Sequence, residues 1–146
     1  PRTWLTPFLG ALMLCCWPVA QASGTGADIV VITNGPTEIR QFSRAEVADL
    51  FLGRSQNAYN VLPVDQDDEA LRERFYREYA GMSLSRVRAY WAKRVFTGRG
   101  RPPDMISLDQ TAGMISGTRL VITYMPAGKP MATVDAVRID NTEDTP

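Results

Sequence analysis

The sequence contains no histidine, and its only two cysteines, Cys15 and Cys16, are adjacent. Histidine is the usual base of nucleophilic triads, a frequent zinc ligand and the side chain that exchanges protons most readily at neutral pH. The sequence also lacks a Gly-x-Ser-x-Gly elbow, a Ser-x-x-Lys pair and a glycine-rich loop between a strand and a helix, which are common hydrolase and nucleotide-binding patterns. We therefore expect a protein that is not an enzyme and that uses no cofactor.

The chain has no excess of either charge, because 16 Lys and Arg residues balance 16 Asp and Glu residues. Proteins that bind nucleic acids usually carry a net positive field, so no nucleic-acid partner is expected. With 146 residues, of which 45% are hydrophobic, the chain is long enough for one globular domain with its own core.

The N-terminal segment is apolar and contains no acidic residue. Its apolar run covers residues 4–20 and is interrupted by Pro18, and the small-x-small triplet Ala20-Gln21-Ala22 ends it. This pattern is typical of a secretory signal peptide. We predict a signal peptide over residues 1–22 that is cleaved after Ala22, which places the remaining protein in the periplasm.

The domain that remains, residues 23–146, would contain no cysteine and would not span a membrane. Its stability would therefore depend on a hydrophobic core and not on disulfides. One alternative is an uncleaved anchor, although the apolar run is shorter than the roughly 20 residues that cross a bilayer. The other is a lipoprotein modified at Cys15, which the bulky Leu14 disfavours.

Four segments rich in β-branched residues predict strands, at residues 27–33, 61–64, 120–124 and 133–139. The first run is apolar on both faces, which is typical of a central strand in a sheet that is covered on both sides. The last run alternates apolar and polar residues, which is typical of an exposed edge strand.

Helical segments with capping residues separate these strands. Ser43 and Glu46 form the pattern of a capping box, for a helix that Gly53 ends. Acidic residues precede the next helix, which covers residues 70–79 and stops at Gly81. Both segments have apolar residues at helical spacing, so one face of each helix is expected in the core.

Two further helices are predicted towards the C-terminus. Ser83 is the expected cap of a helix that continues to Val95, and Ser107 with Gln110 predicts a second capping box for a short helix that ends near Ser116. Helices between strands predict an α/β fold, with a mixed and mostly parallel sheet and helices on both of its faces.

Aromatic side chains at helical spacing are usually part of a core. Five of them are therefore expected to be buried together: Phe75, Tyr79, Tyr90, Trp91 and Phe96.

Ligands of open α/β sheets bind at the carboxyl ends of strands. Three segments meet this condition, namely residues 33–35, 65–69 and 124–126. The second of these reads Asp-Gln-Asp-Asp-Glu, which is either a site for a hard cation or the charged N-terminus of the following helix. It lacks the glycine and the distal glutamate of a calcium loop, so we favour the helix N-terminus and predict no metal site.

A glycine-containing loop carries Arg99 and Arg101. A guanidinium group suits anions because it donates two parallel hydrogen bonds. We predict that Arg99 and Arg101, together with the strand-end turn Asn34-Gly35, contact a small anion. The alternative is a solvated loop whose arginines cover apolar surface.

Several of these stretches together are similar to one known family. They are residues 50–54 (Leu-Phe-Leu-Gly-Arg), 64–66 (Val-Asp-Gln), Phe75-Tyr76, the segment from Trp91 through Phe96-Thr97-Gly98-Arg99-Gly100 to Pro102-Pro103, and the strand at 118–124. In this order they resemble the short phosphate ABC transporter substrate-binding-like proteins of the type 2 periplasmic-binding-protein superfamily. The resemblance covers most of residues 27–126, and it implies an exported α/β domain like a single lobe of the two-lobed binders.

The resemblance also implies where an anion is held. Full-length phosphate binders of this superfamily use an Arg and a Ser-Gly-Thr turn just after the strand that corresponds to residues 61–64. The matching positions here are Asp65 and residues 69–71, which read Glu-Ala-Leu. Each nearby carboxylate would repel phosphate by about 1 kcal/mol in a partly solvated cleft, so phosphate is not expected at this turn.

Three functions remain open on these grounds. The first is an exported, non-enzymatic module that binds a small anion, with an ABC permease or another envelope protein as a possible partner. The second is an accessory module without a ligand site, which docks on an envelope protein through the edge strand at 133–139 or forms a homodimer. The third, the least favoured, is a hydrolase or metal-dependent enzyme that uses the acidic turn at 65–69.

Overall fold

The computed structural model describes residues 28–35, 42–55 and 60–129. The predicted signal peptide at 1–22 and the predicted edge strand at 133–139 lie outside the described residues. The elements in chain order are β1 (Ile29–Thr33), α1 (Arg44–Phe51), β2 (Leu62–Gln66), α2 (Glu69–Ala80), α3 (Leu84–Phe96), β3 (Asp104–Ile106), α4 (Thr111–Ile115) and β4 (Val121–Pro126). None of the described helices has the length and the apolar composition that crossing a membrane requires.

The described strands form one sheet in the order β1-β4-β2-β3. Strand β2 is parallel to both of its neighbours, pairing Leu62 with Val121 of β4 and Val64 with Asp104 of β3. Strand β1 is antiparallel to β4, and its last residue, Thr33, lies opposite Ile122. The predicted α/β fold with a mixed and mostly parallel sheet is therefore confirmed.

Helix ends follow the predicted capping residues. In α1, Ser43 Oγ accepts a hydrogen bond from the Glu46 backbone N–H at 3.3 Å, and Glu46 Oε2 accepts one from the Ser43 N–H at 2.8 Å. Helix α2 ends at Gly81 in the left-handed conformation, with φ of 61°, and Ser83 caps α3. These local signals are strong because each satisfies a backbone group that the helix leaves unpaired.

Helices cover both faces of the sheet. The larger cluster lies between the sheet and α1, α2 and α3, and its centre is a stack of Phe75 on Tyr124 with ring centroids 3.8 Å apart. Phe51 contacts both rings edge-on. The smaller cluster, on the opposite face, joins Ile115 of α4 to side chains of all four described strands. Most of the hydrophobic stabilisation comes from these two clusters, because they hold the buried apolar area.

Two sequence expectations need correction, and one strand was missed. Among the described strands, β4 and β2 hold the central positions and β1 has β4 as its one neighbour, so the central position expected for the first strand stays a prediction. The short strand β3, at Asp104–Ile106, was not predicted, because three residues carry no periodic pattern. Helix α4 begins at Thr111 and not after Ser107, since only the Ser107 N–H to Gln110 half of that capping box forms. Phe96 is 93% exposed and is not part of the core.

The turn after α1 packs closely on α3. Gly53 has φ of +60°, and a Cβ atom built on it would lie 3.0 Å from Cη2 of the buried Trp91. Tyr90 donates a hydrogen bond from its hydroxyl to the Leu52 carbonyl at 2.7 Å, and Arg94 Nη2 donates to the Gly53 carbonyl at 3.0 Å. This turn therefore requires glycine for its backbone conformation and for the space against the indole ring.

Two glycine substitutions separate these requirements. Gly53→Ala and Gly98→Ala both place a side chain at positive φ, but a Cβ at Gly98 meets nothing within 4 Å. We expect each to lose roughly 1 kcal/mol of unfolding free energy from backbone strain, and Gly53→Ala to lose about 1 kcal/mol more from crowding of Trp91. Urea unfolding of both variants measures the difference, and equal losses would contradict the close packing described for Gly53.

Candidate functional site

Asp65 lies in β2, and it is buried with 2% of its surface exposed. Its Oδ2 accepts hydrogen bonds from Arg72 Nε at 3.2 Å and from the Tyr76 hydroxyl at 3.0 Å. Its Oδ1 accepts from the Gln66 backbone N–H at 3.0 Å and from the Tyr124 hydroxyl. The carboxylate therefore has an ion-pair partner and donors on both oxygens, which is what a buried charge requires.

Two other acidic residues of this turn, Asp68 and Glu69, have separate partners. Asp68 is the N-cap of α2, where its Oδ1 accepts from the Leu71 N–H at 2.9 Å. Glu69 Oε1 accepts from Arg88 Nη2 at 2.9 Å on the surface. Within the part of the chain that the structure describes, no three Asp, Glu, His or Cys side chains are grouped so that they could hold a metal ion. The local pattern of closely spaced carboxylates thus does not become a common site in space.

Burial raises the pKa of both tyrosines that donate to Asp65. The main cause for Tyr76 and for Tyr124 is desolvation of the phenolate, and the negative charge of Asp65 raises each pKa further. Both hydroxyls therefore stay protonated, and remain donors, well above the pH at which an exposed tyrosine ionises.

A second buried polar group, centred on Gln66, lies at the carboxyl end of β2. Gln66 is fully buried, and its Nε2 donates to Thr123 Oγ1 at 2.8 Å and to Thr111 Oγ1 at 3.3 Å. Thr111 begins α4 and Thr123 lies in β4. These hydrogen bonds join β2 to α4 and β4 at one of the three strand ends that meet the general condition for ligand binding, and Gln66 Oε1 is buried there without a hydrogen-bond partner among the described residues.

The three predicted strand-end segments do not lie at one end of the sheet. Because β1 is antiparallel to β4, residues 33–35 lie at the end of the sheet where β4 starts. Residues 65–69 and 124–126 lie at the opposite end, since β2 and β4 are parallel. The rule that carboxyl ends meet at one edge applies only to parallel strands, and the direction of β1 was not readable from the sequence.

Asn34 and Gly35 are engaged in holding the chain together. The Asn34 Nδ2 donates to the carbonyls of Gly117 and Arg119 at 3.2 and 2.8 Å, and its Oδ1 accepts from the Val121 N–H at 2.9 Å. The Gly35 N–H donates to Thr33 Oγ1 at 3.1 Å. An anion at this turn would have to displace these hydrogen bonds, so direct anion contact by Asn34 and Gly35 stays a prediction.

A cavity of about 230 Å³ lies at this same end of the sheet, and we refer to it as the strand-start cavity. The first residues of β2, β3 and β4 contribute to it, so it is at the amino ends of the three mutually parallel strands. Its lining residues are Leu50, Gly53, Leu62, Pro63, Val64, Trp91, Arg101, Pro102, Pro103, Asp104, Met114, Arg119 and Val121. A neighbouring recess of about 280 Å³ shares Leu62 and Arg119 with it.

Two arginines line the strand-start cavity, Arg101 and Arg119. Both residues are exposed, and neither forms an ion pair with another described residue. Arg101 is a sequence-predicted site residue, whereas Arg99 is exposed and does not line the cavity. The structure therefore separates the two arginines of the predicted anion loop.

Arg119 was missed by the sequence analysis. It precedes β4, and its backbone carbonyl accepts a hydrogen bond from Asn34 Nδ2 at 2.8 Å. The predicted residues Asn34 and Arg101 thus come to the same end of the sheet, but the arginine that lines the cavity together with Arg101 is Arg119. The available sequence signal was an arginine immediately before a predicted strand.

Comparison of the chain with protein-family models, with curated proteins and with solved structures gives no match.

The raised tyrosine pKa values predict a loss of stability in alkali. The unfolded chain releases the phenolic protons near pH 10, whereas the folded protein retains those of Tyr76 and Tyr124, so stability is full below pH 10 and falls above it. For two such groups, the unfolding free energy falls with increasing pH by a slope that approaches about 2.7 kcal/mol per pH unit. We expect Tyr76→Phe to reduce this slope by about half.

Urea unfolding between pH 9 and 11 measures the slope. Tyr90→Phe is the matched control, because Tyr90 is half-buried and donates to the Leu52 carbonyl without contacting Asp65. If Tyr76→Phe and Tyr90→Phe change the pH dependence of the unfolding free energy equally, the assignment of this dependence to the tyrosines that donate to Asp65 is contradicted.

Proposed function

We propose that the protein is a binding module that holds a small anion in the strand-start cavity. The observation that carries this proposal is the pair of arginines, Arg101 and Arg119, on one cavity without ion-pair partners among the described residues. Unpaired guanidinium groups are well suited to the oxygens of carboxylates and phosphates.

Most other described arginines are already paired. The ion pairs are Arg44 with Glu78, Arg54 with Asp49, Arg72 with Asp65, Arg77 with Glu73 and Arg88 with Glu69. Arg94 is engaged by the carbonyls of Gly53 and Arg99. The contrast supports a role for Arg101 and Arg119 outside the fold itself.

The lining favours an organic anion over a bare inorganic one. Leu62, Trp91 and Met114 offer apolar contact, while Asp104 supplies an acceptor beside the two arginines. A small carboxylate with an apolar body and a hydrogen-bond donor matches this combination, because apolar walls with few polar groups are typical of small-molecule sites. Inorganic phosphate would leave the apolar wall unused.

The resemblance to phosphate transporter substrate-binding-like proteins supports the same class of function. It implies an exported domain in the periplasm, which delivers a solute to an ABC permease or to another envelope protein. In this proposal the module differs from the two-lobed phosphate binders, because the carboxyl end of β2 carries the buried Asp65 in place of an anion-binding arginine.

The buried Asp65 favours one alternative function. A domain that has lost the ligand site of its superfamily would serve as an accessory module that contacts other envelope proteins. In that case the strand-start cavity would bind no anion.

Thermal unfolding in the presence of anions distinguishes these functions. A carboxylate at 100 times its Kd adds about 2.7 kcal/mol of stability, which raises Tm by on the order of 10 °C for a domain of this size. We expect a series of small carboxylates to include one that gives such a shift, with phosphate and sulfate giving less. Arg101→Gln and Arg119→Gln should each abolish most of the shift.

Arg86→Gln is the matched control. It removes the same charge from an exposed position on α3, and Arg86 does not line the cavity. If no anion raises Tm, or if Arg86→Gln weakens the shift as much as Arg101→Gln does, the anion-binding function is contradicted and the accessory function is favoured.

A further inference from the structure

The C-terminal end of α3 presents two apolar side chains to solvent. Phe96 is 93% exposed and Val95 is 54% exposed. Phenylalanine is normally among the most buried residue types, and nothing in the fold requires an aromatic ring at this position. Such a side chain is therefore a candidate for contact with another molecule.

The segment around Phe96 is positively charged throughout. Residues 82–103 contain no acidic residue, and their basic residues are Arg86, Arg88, Lys93, Arg94, Arg99 and Arg101. The whole chain is neutral, so positive charge is concentrated in this segment. Lys93 precedes Val95 and Phe96 by two residues, Arg99 follows them by three, and both are exposed. We refer to Lys93, Val95, Phe96 and Arg99 as the α3 tip.

The α3 tip lies at the exposed C-terminal end of α3 and in the loop that follows it. Residues 95–100 are all exposed, and a Cβ atom at Gly98 would meet nothing within 4 Å. Arg94 Nη2 donates to the Arg99 carbonyl at 2.9 Å as well as to the Gly53 carbonyl at 3.0 Å. The loop is therefore fixed to the turn after α1 while its outer surface stays open.

The two basic residues of the α3 tip form no ion pair with another described residue. Asp49 is paired with Arg54, whose guanidinium lies over the Tyr90 ring. Asp104 follows Pro103 and lines the strand-start cavity. Neither carboxylate forms an ion pair with Lys93 or Arg99 in the described part of the chain.

We propose that the α3 tip docks the domain on an anionic lipid surface, with Phe96 inserted among the headgroups and Lys93 and Arg99 against the lipid phosphates. Aromatic side chains and flanking basic residues are the combination that binds peripheral segments to anionic membranes. A single projecting ring without a surrounding apolar groove suits a deformable bilayer better than a protein, because a protein interface needs a complementary packed surface.

Sedimentation with lipid vesicles tests this proposal. The full chain is mixed with phosphatidylcholine vesicles that contain either 30% or no phosphatidylglycerol, at about 50 mM salt, where screening is weak. We expect binding to the anionic vesicles beyond that to the neutral ones, and a loss of this excess at about 0.5 M salt. The N-terminal apolar segment is the same in every variant, so comparisons between variants report on the α3 tip.

Two substitutions probe the two contributions. Phe96→Ser should lower the partition coefficient by about tenfold, and Arg99→Gln by about fivefold at low salt. Met105→Ser and Arg86→Gln are the matched controls, since Met105 is 58% exposed on β3 and Arg86 lies at the other end of α3. Tm measurements verify that each variant folds, and neither Phe96 nor Arg99 lines the strand-start cavity.

Three outcomes would overturn the proposal. The first is no excess binding to anionic vesicles, and the second is equal effects of the test and control substitutions. The third is Phe96-dependent binding to a polyglutamate peptide without vesicle binding, which would assign the α3 tip to an acidic protein partner. Anion binding in the strand-start cavity is measured separately, by the change of Tm. A negative result for lipid binding therefore does not decide whether the cavity binds an anion, and the reverse also holds.

Discussion

A single buried carboxylate connects the sheet to its largest helical layer. Asp65 in β2 holds Arg72 and Tyr76 of α2, and Tyr124 of the neighbouring strand β4. An unpaired carboxylate at this depth would cost several kcal/mol, so the three donors and the charge must come together when the domain folds. Tyr124 also stacks on Phe75 at the centre of the core. It therefore connects the hydrogen bonds around Asp65 to the hydrophobic packing.

This cluster determines which end of the sheet is free for a ligand. The Asp65 carboxylate and the Gln66 Nε2 atom are engaged in hydrogen bonds within the domain at the carboxyl end of β2, whereas Gln66 Oε1 has no partner among the described residues. At the opposite end, Asn34 Nδ2 donates to the Arg119 carbonyl in the segment before β4, and Arg119 lines the same cavity as Arg101. Arg101 and Arg119 lie in the segments before β3 and β4, and the α3 tip lies at the end of α3 and in the loop that follows it. Functional residues are commonly found in or next to such loops.

The local part of the fold could be predicted from the sequence, because caps and helix stops are decided by nearby residues. Ser43, Gly81 and Ser83 all act where their patterns indicated. Strand order, the direction of β1 and the burial of Asp65 depend on distant partners, and no local pattern reports them. Asp65 was assigned to the acidic turn at 65–69 because its neighbours are acidic. Phe96 was assigned to the core because helical spacing does not show that the last residues of α3 extend beyond the elements packed against it.

The most direct measurement of the central claim is a double-mutant cycle on the Asp65–Arg72 pair, by urea unfolding of Asp65→Asn, Arg72→Met and the double variant. We expect each single variant to lose about 3 kcal/mol and the double variant to lose clearly less than the sum, with a coupling energy of about 2 kcal/mol. The exposed pair of Glu69 and Arg88, at 2.9 Å, is the reference and should couple by less than about 1 kcal/mol. Additive losses at Asp65 and Arg72, within about 0.5 kcal/mol, would contradict the claim that this carboxylate joins the sheet to its helices.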